Sequence, residues 1–265
     1  MYWDTHMHCH FSSDSTTKPE EMILSAIDKG LDGICFTDHM DYDYPLENMF
    51  TFNPEKYFKE LLPLQEKYKS CIPVHIGVEI GLQPHLKKRY EKLLSSYEFD
   101  QVIGSSHVVH GKDPYYPDFF EGKTEDEAYK EYFSSILENL AVLDHFDVYG
   151  HIDYVVRYGP NKNQYYTYEK FQDVIDEILR TLIAKGKGIE INMAGFKYGL
   201  GHPNPTEVIL KRYRELGGEI LTLGADAHQP EHVAYDFQRL KDILQNAGFS
   251  YYTVFQKRKP VFYKV

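Results

Sequence analysis

Histidine and carboxylate side chains recur at the ends of short apolar runs along this chain. The residues in these positions are His6 and His8, Asp38 and His39, Glu79, His107, His151, and Asp226 and His228. Imidazole and carboxylate groups are good ligands for divalent first-row metals such as zinc, manganese and iron. The three cysteines form no Cys-x-x-Cys pair that would compete for such an ion. These residue types therefore predict a metal site.

The spacing within two of these groups places both side chains on one side of a strand. His6 and His8 are two residues apart, as are Asp226 and His228, and residues two apart on a strand share a face. Two such pairs that face each other, with a carboxylate between them, can hold more than one ion. Clustered cations need a bridging carboxylate to separate them, and Glu79 is the candidate.

Each histidine by itself is weak evidence for a metal. A single histidine at a strand end is more often structural than metal binding, and a lone His-x-His pair is no stronger. Independent structural roles at six strand ends on one edge would be a coincidence, so the set as a whole favours metal binding. His110 and His202 lie in loops near the same edge, where substrate contact and no function are equally expected.

Seven β-like runs that alternate with amphipathic helical segments must position these residues. The runs lie near residues 2–8, 33–38, 73–79, 101–105, 148–151, 188–192 and 220–224. Such alternation predicts a parallel sheet, either open or closed into a barrel, and active sites in these folds form at the carboxyl ends of the strands. Asn204-Pro205-Thr206-Glu207 predicts a helix start with Asn204 as the N-cap. The tail over 249–265 predicts a terminal hairpin or a covering strand.

The composition limits the classes of function. The chain has 265 residues, with 29 basic and 40 acidic side chains and a net charge of −11 at pH 7. This charge argues against nucleic acid and against an anionic membrane surface as partners. The N-terminus lacks the basic and apolar regions of a signal peptide, no segment has the unbroken apolar length of a membrane span, and the odd number of cysteines fits a reducing compartment. We expect a cytoplasmic protein with one domain over residues 1–265.

Six segments, in order along the chain, resemble the PHP (polymerase and histidinol phosphatase) family of metal-dependent phosphoesterases. They are DTHMHCHFSSDS (4–15), FTDH (36–39), GVEIG (77–81), GSSHVVHG (104–111), GHIDYVVRYG (150–159) and GADAHQPEHVAYDF (224–237). Within the family, the last two segments and the tail FQKRKPVFYKV look most like histidinol-phosphate phosphatases. The resemblance covers nearly the whole chain and implies a distorted (β/α)7 barrel with a trinuclear metal site.

Carried over residue by residue, the resemblance implies ligands for two or three divalent ions (zinc, manganese or iron). The groups are His6, His8, Glu79 and Asp226 for one ion, Glu79, His107 and His151 for a second, and Asp14, His39 and His228 for a third. Some family members have a histidine where this chain has Asp14, a difference that bears on metal preference and occupancy. Asp38 would then orient the site from outside the ligand set.

The implied reaction is the hydrolysis of a small phosphate monoester, L-histidinol phosphate, to L-histidinol and phosphate. Arg157 follows His151 by six residues and is expected to clamp the phosphate, because a guanidinium group binds phosphate oxygens in a bidentate way. His202 is the candidate proton donor to the leaving alcohol, with a water on the metal as the alternative. Tyr116 and Phe119 are expected to stack against the imidazole of the substrate.

Two alternatives to this function stay open at the level of the sequence. The first is another PHP phosphoesterase, such as a protein-tyrosine phosphatase or a nucleotide phosphatase. The second is a noncatalytic metal-binding module of the same family. Loss of ligands would mark that second case, whereas all nine implied positions here hold a residue that can bind a metal.

Overall fold

Parallel strands form two hydrogen-bonded sheets in the computed structural model, which describes residues 2–47 and 49–265. The strands are β1 (Trp3–Met7), β2 (Gly33–Phe36), β3 (His39–Met40), β4 (Val74–Ile76), β5 (Val78–Gly81), β6 (Val102–Ser105), β7 (Val148–Tyr149), β8 (Gly188–Asn192) and β9 (Leu221–Gly224). Their order is β1-β2-β4 in the smaller sheet and β3-β5-β6-β7-β8-β9 in the larger. Each pairing between them is parallel, as the alternation of strands and helices predicts.

The strands β1 to β9 correspond to only seven passes of the chain through the barrel, because two of the passes are each divided into two strands. Only Thr37 and Asp38 separate β2 from β3, and only Gly77 separates β4 from β5. A Cβ atom on Gly77 would lie 2.7 Å from the carbonyl oxygen of Gln101 and 3.0 Å from that of Phe36. The neighbouring backbones therefore approach too closely at this break for any residue other than glycine.

The two sheets meet along β1 and β9, and this contact closes the barrel. Met7 forms a parallel bridge with Ala227. The Asp226 N–H donates to the His6 carbonyl at 2.9 Å, and the His8 N–H donates to the Ala227 carbonyl at 2.8 Å. Since β3 continues β2 on the other side, the seven passes form a ring. The predicted distorted (β/α)7 barrel is confirmed.

Helices cover the outside of this barrel. They are α1 (Pro19–Asp28), α2 (Pro54–Tyr68), α3 (Lys87–Ser96), α4 (Glu125–Val142), α5 (Gln172–Ala184), α6 (Ala194–Lys197), α7 (Glu207–Glu215) and α8 (Leu240–Asn246). α5 shows why they form: Ile175, Ile178, Leu179 and Leu182 recur at helical spacing and are fully buried. None of the helices in residues 2–47 and 49–265 is long and apolar enough to cross a membrane.

The start of α7 differs from the sequence prediction. The helix begins at Glu207 with Thr206 as its N-cap, whereas Asn204 is fully buried. The Asn204 side chain accepts from the Arg157 guanidinium at 2.8 Å and donates to Asp153 at 2.6 Å. The predicted N-cap role of Asn204 is therefore wrong, because its amide is used in contacts between distant segments.

The tail forms an antiparallel hairpin of β10 (Tyr251–Gln256) and β11 (Lys259–Lys264), in agreement with the expected hairpin. Its turn lies at the amino-terminal end of the barrel. The Arg258 guanidinium donates to Asp147, just before β7, at 2.5 Å, and the Arg258 N–H donates to the Asp100 carbonyl, just before β6, at 2.8 Å. The hairpin thus covers the end of the barrel opposite the carboxyl ends of the strands.

Candidate metal centre

The carboxyl ends of the parallel strands surround a cavity of about 560 Å³. Seven of the nine predicted metal ligands line it: Asp14, His39, Glu79, His107, His151, Asp226 and His228. The other two, His6 and His8, lie at the end of β1 and are fully buried against Glu79 and Asp226. The fold therefore brings together side chains that are far apart in the sequence.

The first group of ligand atoms comes from His6, His8, Glu79 and Asp226. The Nε2 atom of His6 lies 3.0 Å from Nε2 of His8 and 3.3 Å from Oε2 of Glu79. Oδ1 of Asp226 lies 3.4 Å from Nε2 of His8 and 3.7 Å from Nε2 of His6. Atoms that bind one ion at about 2.0–2.2 Å stand roughly 3–3.5 Å apart, so this spacing suits a single ion.

The second group shares Glu79 with the first. Oε1 of Glu79 lies 3.1 Å from Nε2 of His151 and 3.4 Å from Nε2 of His107, and these two nitrogens are 3.5 Å apart. The Ser105 hydroxyl donates to the same Oε1 at 2.6 Å. Oε1 and Oε2 of Glu79 therefore face different groups of nitrogens, and Oε2 also lies 3.1 Å from Nδ1 of His39; the bridging role of Glu79 stays a prediction.

The third group is the most open of the three. Oδ2 of Asp14 lies 3.0 Å from Nε2 of His228 and 3.7 Å from Nε2 of His39. The ring of His8 stacks between those of His39 and His228, with centroid distances of 4.3 Å and 4.2 Å. Asp14 is 38% exposed, in contrast to Glu79 at 0%, so this side of the cluster faces the cavity and solvent.

Three of the histidine rings have a hydrogen-bonding partner at Nδ1, the ring nitrogen that does not face the other predicted ligands. The Nδ1 atom of His6 donates to Glu190 at 2.6 Å, and that of His107 donates to Asp41 at 2.7 Å. The Nδ1 atom of His8 lies 3.0 Å from the Ser12 hydroxyl. A ligand histidine commonly places its second nitrogen on a carboxylate or hydroxyl, which fixes the ring and directs the Nε2 lone pair at the metal.

Asp38 fixes the position of Ser12, the residue whose hydroxyl contacts Nδ1 of His8. Its Oδ1 accepts from the Cys9 N–H at 2.8 Å and from the Ser12 hydroxyl at 2.9 Å, while the Ser12 oxygen accepts from the His39 N–H at 3.0 Å. Asp38 is fully buried and makes no direct contact with the His39 ring among the bonds of the described residues. It thus acts on His39 and His8 through Ser12.

Two residues of the cluster have an unusual backbone conformation. His151 has a φ of +23° and Asp226 a φ of +53°, in the region that residues with a Cβ atom rarely adopt. Such strain persists where surrounding contacts impose it, and it concentrates at functional sites. The His151 N–H is held by Oε2 of Glu190 at 3.1 Å, and the Asp226 N–H by the His6 carbonyl at 2.9 Å.

The buried carboxylates of the cluster need positive charge beside them. Burial alone would lower the pKa of His39, yet Glu79 and Asp14 raise it to about 9. Burial opposes ionisation of Glu79 as well, but His6, His107 and His39 hold the pKa of its carboxyl well below the usual value. Without a metal, protons on histidines must therefore balance the carboxylates.

The donor set fits divalent cations. Burial and the neighbouring His228 and His39 keep the pKa of His8 well below its usual value, which leaves Nε2 with a free lone pair. Nδ1 of His39 and Nε2 of His228 are buried and make no well-aligned hydrogen bond, although oxygens of Glu79 and Asp14 lie 3.1 Å and 3.0 Å from them. Lone pairs that converge in this way repel each other unless a cation lies between them, and imidazole with carboxylate suits zinc, manganese or iron.

Arg157 extends the cluster toward the cavity. It is 3% exposed, lies in a single 3₁₀ turn after β7, and lines the cavity. Its Nε donates to Asn204 at 2.8 Å, Nη2 to Asn192 at 2.9 Å and Nη1 to Asp226 at 3.1 Å. Each terminal nitrogen carries two N–H groups, so one on each is left for a ligand.

The family model for the PHP domain matches residues 4–194, which is well over half of the chain. The chain belongs to the PHP family. Asp226 and His228 of this PHP protein lie beyond the matched segment, and the contact of β9 with β1 brings them to the cluster.

Two relatives that match this PHP protein over nearly its full length are both described as histidinol-phosphatases. A probable histidinol-phosphatase from Clostridium acetobutylicum is 34% identical over 100% of this chain and 97% of its own length. The histidinol-phosphatase of Lactococcus lactis is 32% identical over 97% of this chain and 95% of its own length. The chain is thus similar along its whole length to proteins described as histidinol-phosphatases.

Solved structures agree with these sequence matches. The crystal structure of histidinol phosphate phosphatase from Lactococcus lactis, complexed with zinc, L-histidinol and phosphate, gives a TM-score of 0.92 at 32% identity and covers 98% of this chain and 100% of that one. The structure of a proposed histidinol phosphatase from Listeria monocytogenes gives a TM-score of 0.78 at 19% identity and covers 89% of this chain and 98% of that one, a likeness that shows the fold alone.

The remaining walls of the PHP cavity include one residue that the sequence analysis missed. Lys197 lines the cavity, and its Nζ donates to the Asp226 carbonyl at 3.1 Å. Burial lowers the pKa of this lysine, and nearby Asp226 opposes the change. The ammonium retains two further N–H groups. It therefore places a second cation beside Arg157.

Two of the residues predicted to contact substrate do not face the cavity. Tyr116 lines it, but Phe119 is fully buried and packs against Phe120 at a centroid distance of 5.2 Å. His202 is absent from the lining, and its Nδ1 lies 2.6 Å from the Pro203 carbonyl. Core packing keeps Phe119 out of the cavity, and the hydrogen bond to Pro203 directs His202 away from it. Neither the predicted stacking by Phe119 nor the predicted proton donation by His202 agrees with these positions.

Glu190 and Asn192 are further functional residues that the sequence analysis missed. Both lie on β8, are fully buried and touch the cluster. Two polar residues at alternate positions in the otherwise apolar strand GIEIN share the face that points into the barrel. Since a buried carboxylate needs partners, this alternation is the signal that could have found them.

Proposed function

We propose that this PHP protein hydrolyses L-histidinol phosphate to L-histidinol and inorganic phosphate, as an enzyme of histidine biosynthesis. The observation that carries the proposal is the convergence of nine ligand-capable side chains on one cavity, in a chain that matches histidinol-phosphatases over its full length. The substrate is a small-molecule phosphomonoester.

The metal ligands of the proposed enzyme fall into three groups. They are His6, His8, Glu79 and Asp226; Glu79, His107 and His151; and Asp14, His39 and His228, and the short distances within each group support them. These groups would hold two or three divalent ions (zinc, manganese or iron). The relative that contains zinc supports zinc among them.

Bound divalent ions supply polarisation of the phosphoryl oxygens and activation of a water for in-line attack. Arg157 donates one N–H from each terminal nitrogen to the phosphoryl group, which is the bidentate geometry that a guanidinium provides. Lys197 donates from its ammonium beside it. Asn192 and Asn204 hold the Arg157 guanidinium in place through Nη2 and Nε. The side chain therefore loses little conformational freedom when substrate binds.

The cavity also suits the alcohol part of the substrate. At about 560 Å³ it has room for more than a phosphate group. Tyr116 stands in its wall together with Tyr44, Tyr154 and Tyr158, and these rings offer flat faces to an imidazole. Because Tyr116 lies in this wall, it remains the residue that we expect to stack against the imidazole of the substrate.

We also propose a cytoplasmic location and a single domain over residues 1–265. Cys9, Cys35 and Cys71 are free thiols, which supports a reducing compartment. The contribution of Asp226 and His228 to the same cavity as His6 supports one domain, because the two ends of the chain build one site.

The test is phosphate release by the zinc- or manganese-loaded protein. We expect L-histidinol phosphate to be hydrolysed in preference to a phosphotyrosine peptide, a nucleoside monophosphate and p-nitrophenyl phosphate, with activity lost on chelation. His8→Ala should lose bound metal and activity, whereas His145→Ala, at a half-exposed histidine away from the cavity, should keep both. A preference for one of the other esters, or full activity in His8→Ala, would refute the proposal.

A further inference from the structure

The segment over residues 225–236 carries two of the predicted metal ligands, Asp226 and His228, on an irregular backbone. It follows β9 and contains a single 3₁₀ turn, Pro230–His232. Asp226 and Ala234 have φ angles of +53° and +52°, which residues with a Cβ atom rarely adopt. Such a conformation persists where surrounding contacts impose it, so other parts of the fold must hold this segment.

Asp4, on β1, holds the segment at two places with one carboxylate. It is fully buried. Its Oδ1 accepts from the Ala225 N–H at 3.0 Å, and its Oδ2 accepts from the Ala234 N–H at 2.9 Å. Ala225 directly precedes Asp226 in the sequence. The two oxygens of one buried side chain therefore fix the backbone on both sides of the two ligands.

Lys29, the residue at the carboxyl end of α1, holds the middle of the segment. Its ammonium donates to the carbonyls of Pro230 at 3.2 Å, Glu231 at 2.9 Å and Val233 at 2.6 Å. Partial burial lowers the pKa of Lys29, and the nearby charge of Asp4 opposes the change. An ammonium has three N–H groups, so Lys29 uses all of them on this one turn.

Three hydroxyl groups of the same β1–α1 unit complete these contacts. The hydroxyls of Ser15 and Thr17 donate to the His228 carbonyl at 2.8 Å and 3.0 Å, and that of Ser25 donates to the Pro230 carbonyl at 2.5 Å. Side chains from one end of the chain therefore bind the backbone of a segment near the other end.

We propose that Asp4 and Lys29 are positioning residues of the metal centre, which impose the backbone conformation that directs Asp226 and His228 toward the other ligands. Their hydrogen bonds go to backbone groups, so both act through the backbone of the segment. Ligands that are already held in place lose less freedom when an ion binds, which makes binding tighter. The inference rests on the proposed function, because it takes Asp226 and His228 as metal ligands.

Lys29→Met is the first variant to make, because Lys29 lies at the surface and its replacement leaves the barrel core unchanged. The matched control is Lys185→Met. Lys185 ends α5 as Lys29 ends α1, is equally exposed, and also precedes a glycine with a φ of +67°. In the described part of the chain, the Lys185 ammonium has no hydrogen-bond partner.

Asp4→Asn is the second variant. An asparagine has a single oxygen, so the N–H of either Ala225 or Ala234 must face an N–H₂ group instead of an acceptor. This change is buried, and Lys29→Met decides the question if Asp4→Asn does not fold.

The experiment is competition for zinc between each metal-free protein and a chromophoric chelator, together with thermal melting of the metal-free proteins. We expect zinc affinity to fall about 10-fold in Lys29→Met and about 10- to 100-fold in Asp4→Asn, with Lys185→Met at the wild-type value. A purely structural role would lower the melting temperature and leave the zinc affinity of the folded protein unchanged. That result, or an equal loss of affinity in Lys185→Met, would overturn the proposal.

Zinc binding also separates this proposal from the proposed reaction, since it needs no turnover. Weaker zinc binding in Lys29→Met, with normal binding in Lys185→Met, supports the positioning role even if the loaded protein hydrolyses no L-histidinol phosphate. Wild-type zinc affinity in Lys29→Met overturns it even if the phosphatase activity is found.

Discussion

Glu190→Gln should weaken metal binding although it changes one atom of a buried side chain. The carboxylate accepts three hydrogen bonds: Oε1 from Nδ1 of His6 at 2.6 Å, and Oε2 from the His151 N–H at 3.1 Å and from the Asn192 amide at 3.2 Å. A glutamine has only one oxygen. Whichever way its amide turns, at least one of these donors then meets an N–H₂ group.

The orientation with fewer conflicts keeps the glutamine oxygen on His151 and Asn192. Its N–H₂ group then faces His6, whose Nδ1 must become an acceptor. The proton moves to Nε2 of His6, the atom that lies 3.0 Å from Nε2 of His8 and 3.3 Å from Glu79. An N–H there cannot bind a metal, so the ion must impose the unfavourable tautomer.

We expect the affinity for the most affected ion to fall about 10- to 100-fold, the usual effect of losing such an anchor, which is about 1.4–2.7 kcal/mol. The assay is competition for zinc between the metal-free variant and a chromophoric chelator, with bound zinc counted by elemental analysis. Glu177→Gln, on the exposed side of α5, is the control. Wild-type zinc affinity in Glu190→Gln would refute the reasoning about the His6 tautomer.

Three further changes test other parts of the fold and site. Arg157→Ala should lower kcat/KM about 100- to 1000-fold, with Arg157→Lys recovering only part because it restores the charge without the fork; unchanged steady-state kinetics would count against the clamp. Gly224→Ala would place a Cβ atom 2.4 Å from a Glu190 oxygen, so we expect less bound zinc and a lower melting temperature, and normal values of both would contradict this. Arg258→Ala leaves the buried carboxylate of Asp147 short of its partner and should reduce the free energy of unfolding in urea by about 1–3 kcal/mol with zinc stoichiometry retained; an unchanged unfolding curve would show that the hairpin contact is dispensable.

The sequence predicts the parts of the site that depend on local pattern. Strand runs can be recognised from apolar β-branched residues, and parallel strands must present their carboxyl ends at one edge. Ligand-capable residues such as His107 and His151, each just after a strand, are therefore expected to meet. The PHP resemblance assigns them to one ion with Glu79, and this assignment stays a prediction, because His151 also lies in a group with His6 and Glu79 and His107 in a group with His39 and Glu79.

The parts that depend on contacts between distant segments could not be predicted in the same way. Asn204 has the sequence context of a helix cap, yet its amide contacts Arg157 and Asp153. Phe119 sits in an aromatic loop whose side-chain directions follow no period, and it packs inward. Lys197 stands on a four-residue helix and has no partner nearby in the sequence that would mark it as a cavity residue.

The acidic composition and an anionic substrate are compatible because the local charge of the cavity differs from that of the whole chain. Carboxylates dominate the cluster and its anchors: Asp14, Glu79, Asp226, Asp41 and Glu190. Against them stand the fixed cations Arg157 and Lys197. Without metal, protons on His39 and its neighbours only balance these carboxylates, whereas divalent ions would add positive charge where the phosphoryl group binds. The same carboxylates that suit the metals therefore make phosphate binding stronger in the metal-loaded protein than in the metal-free one.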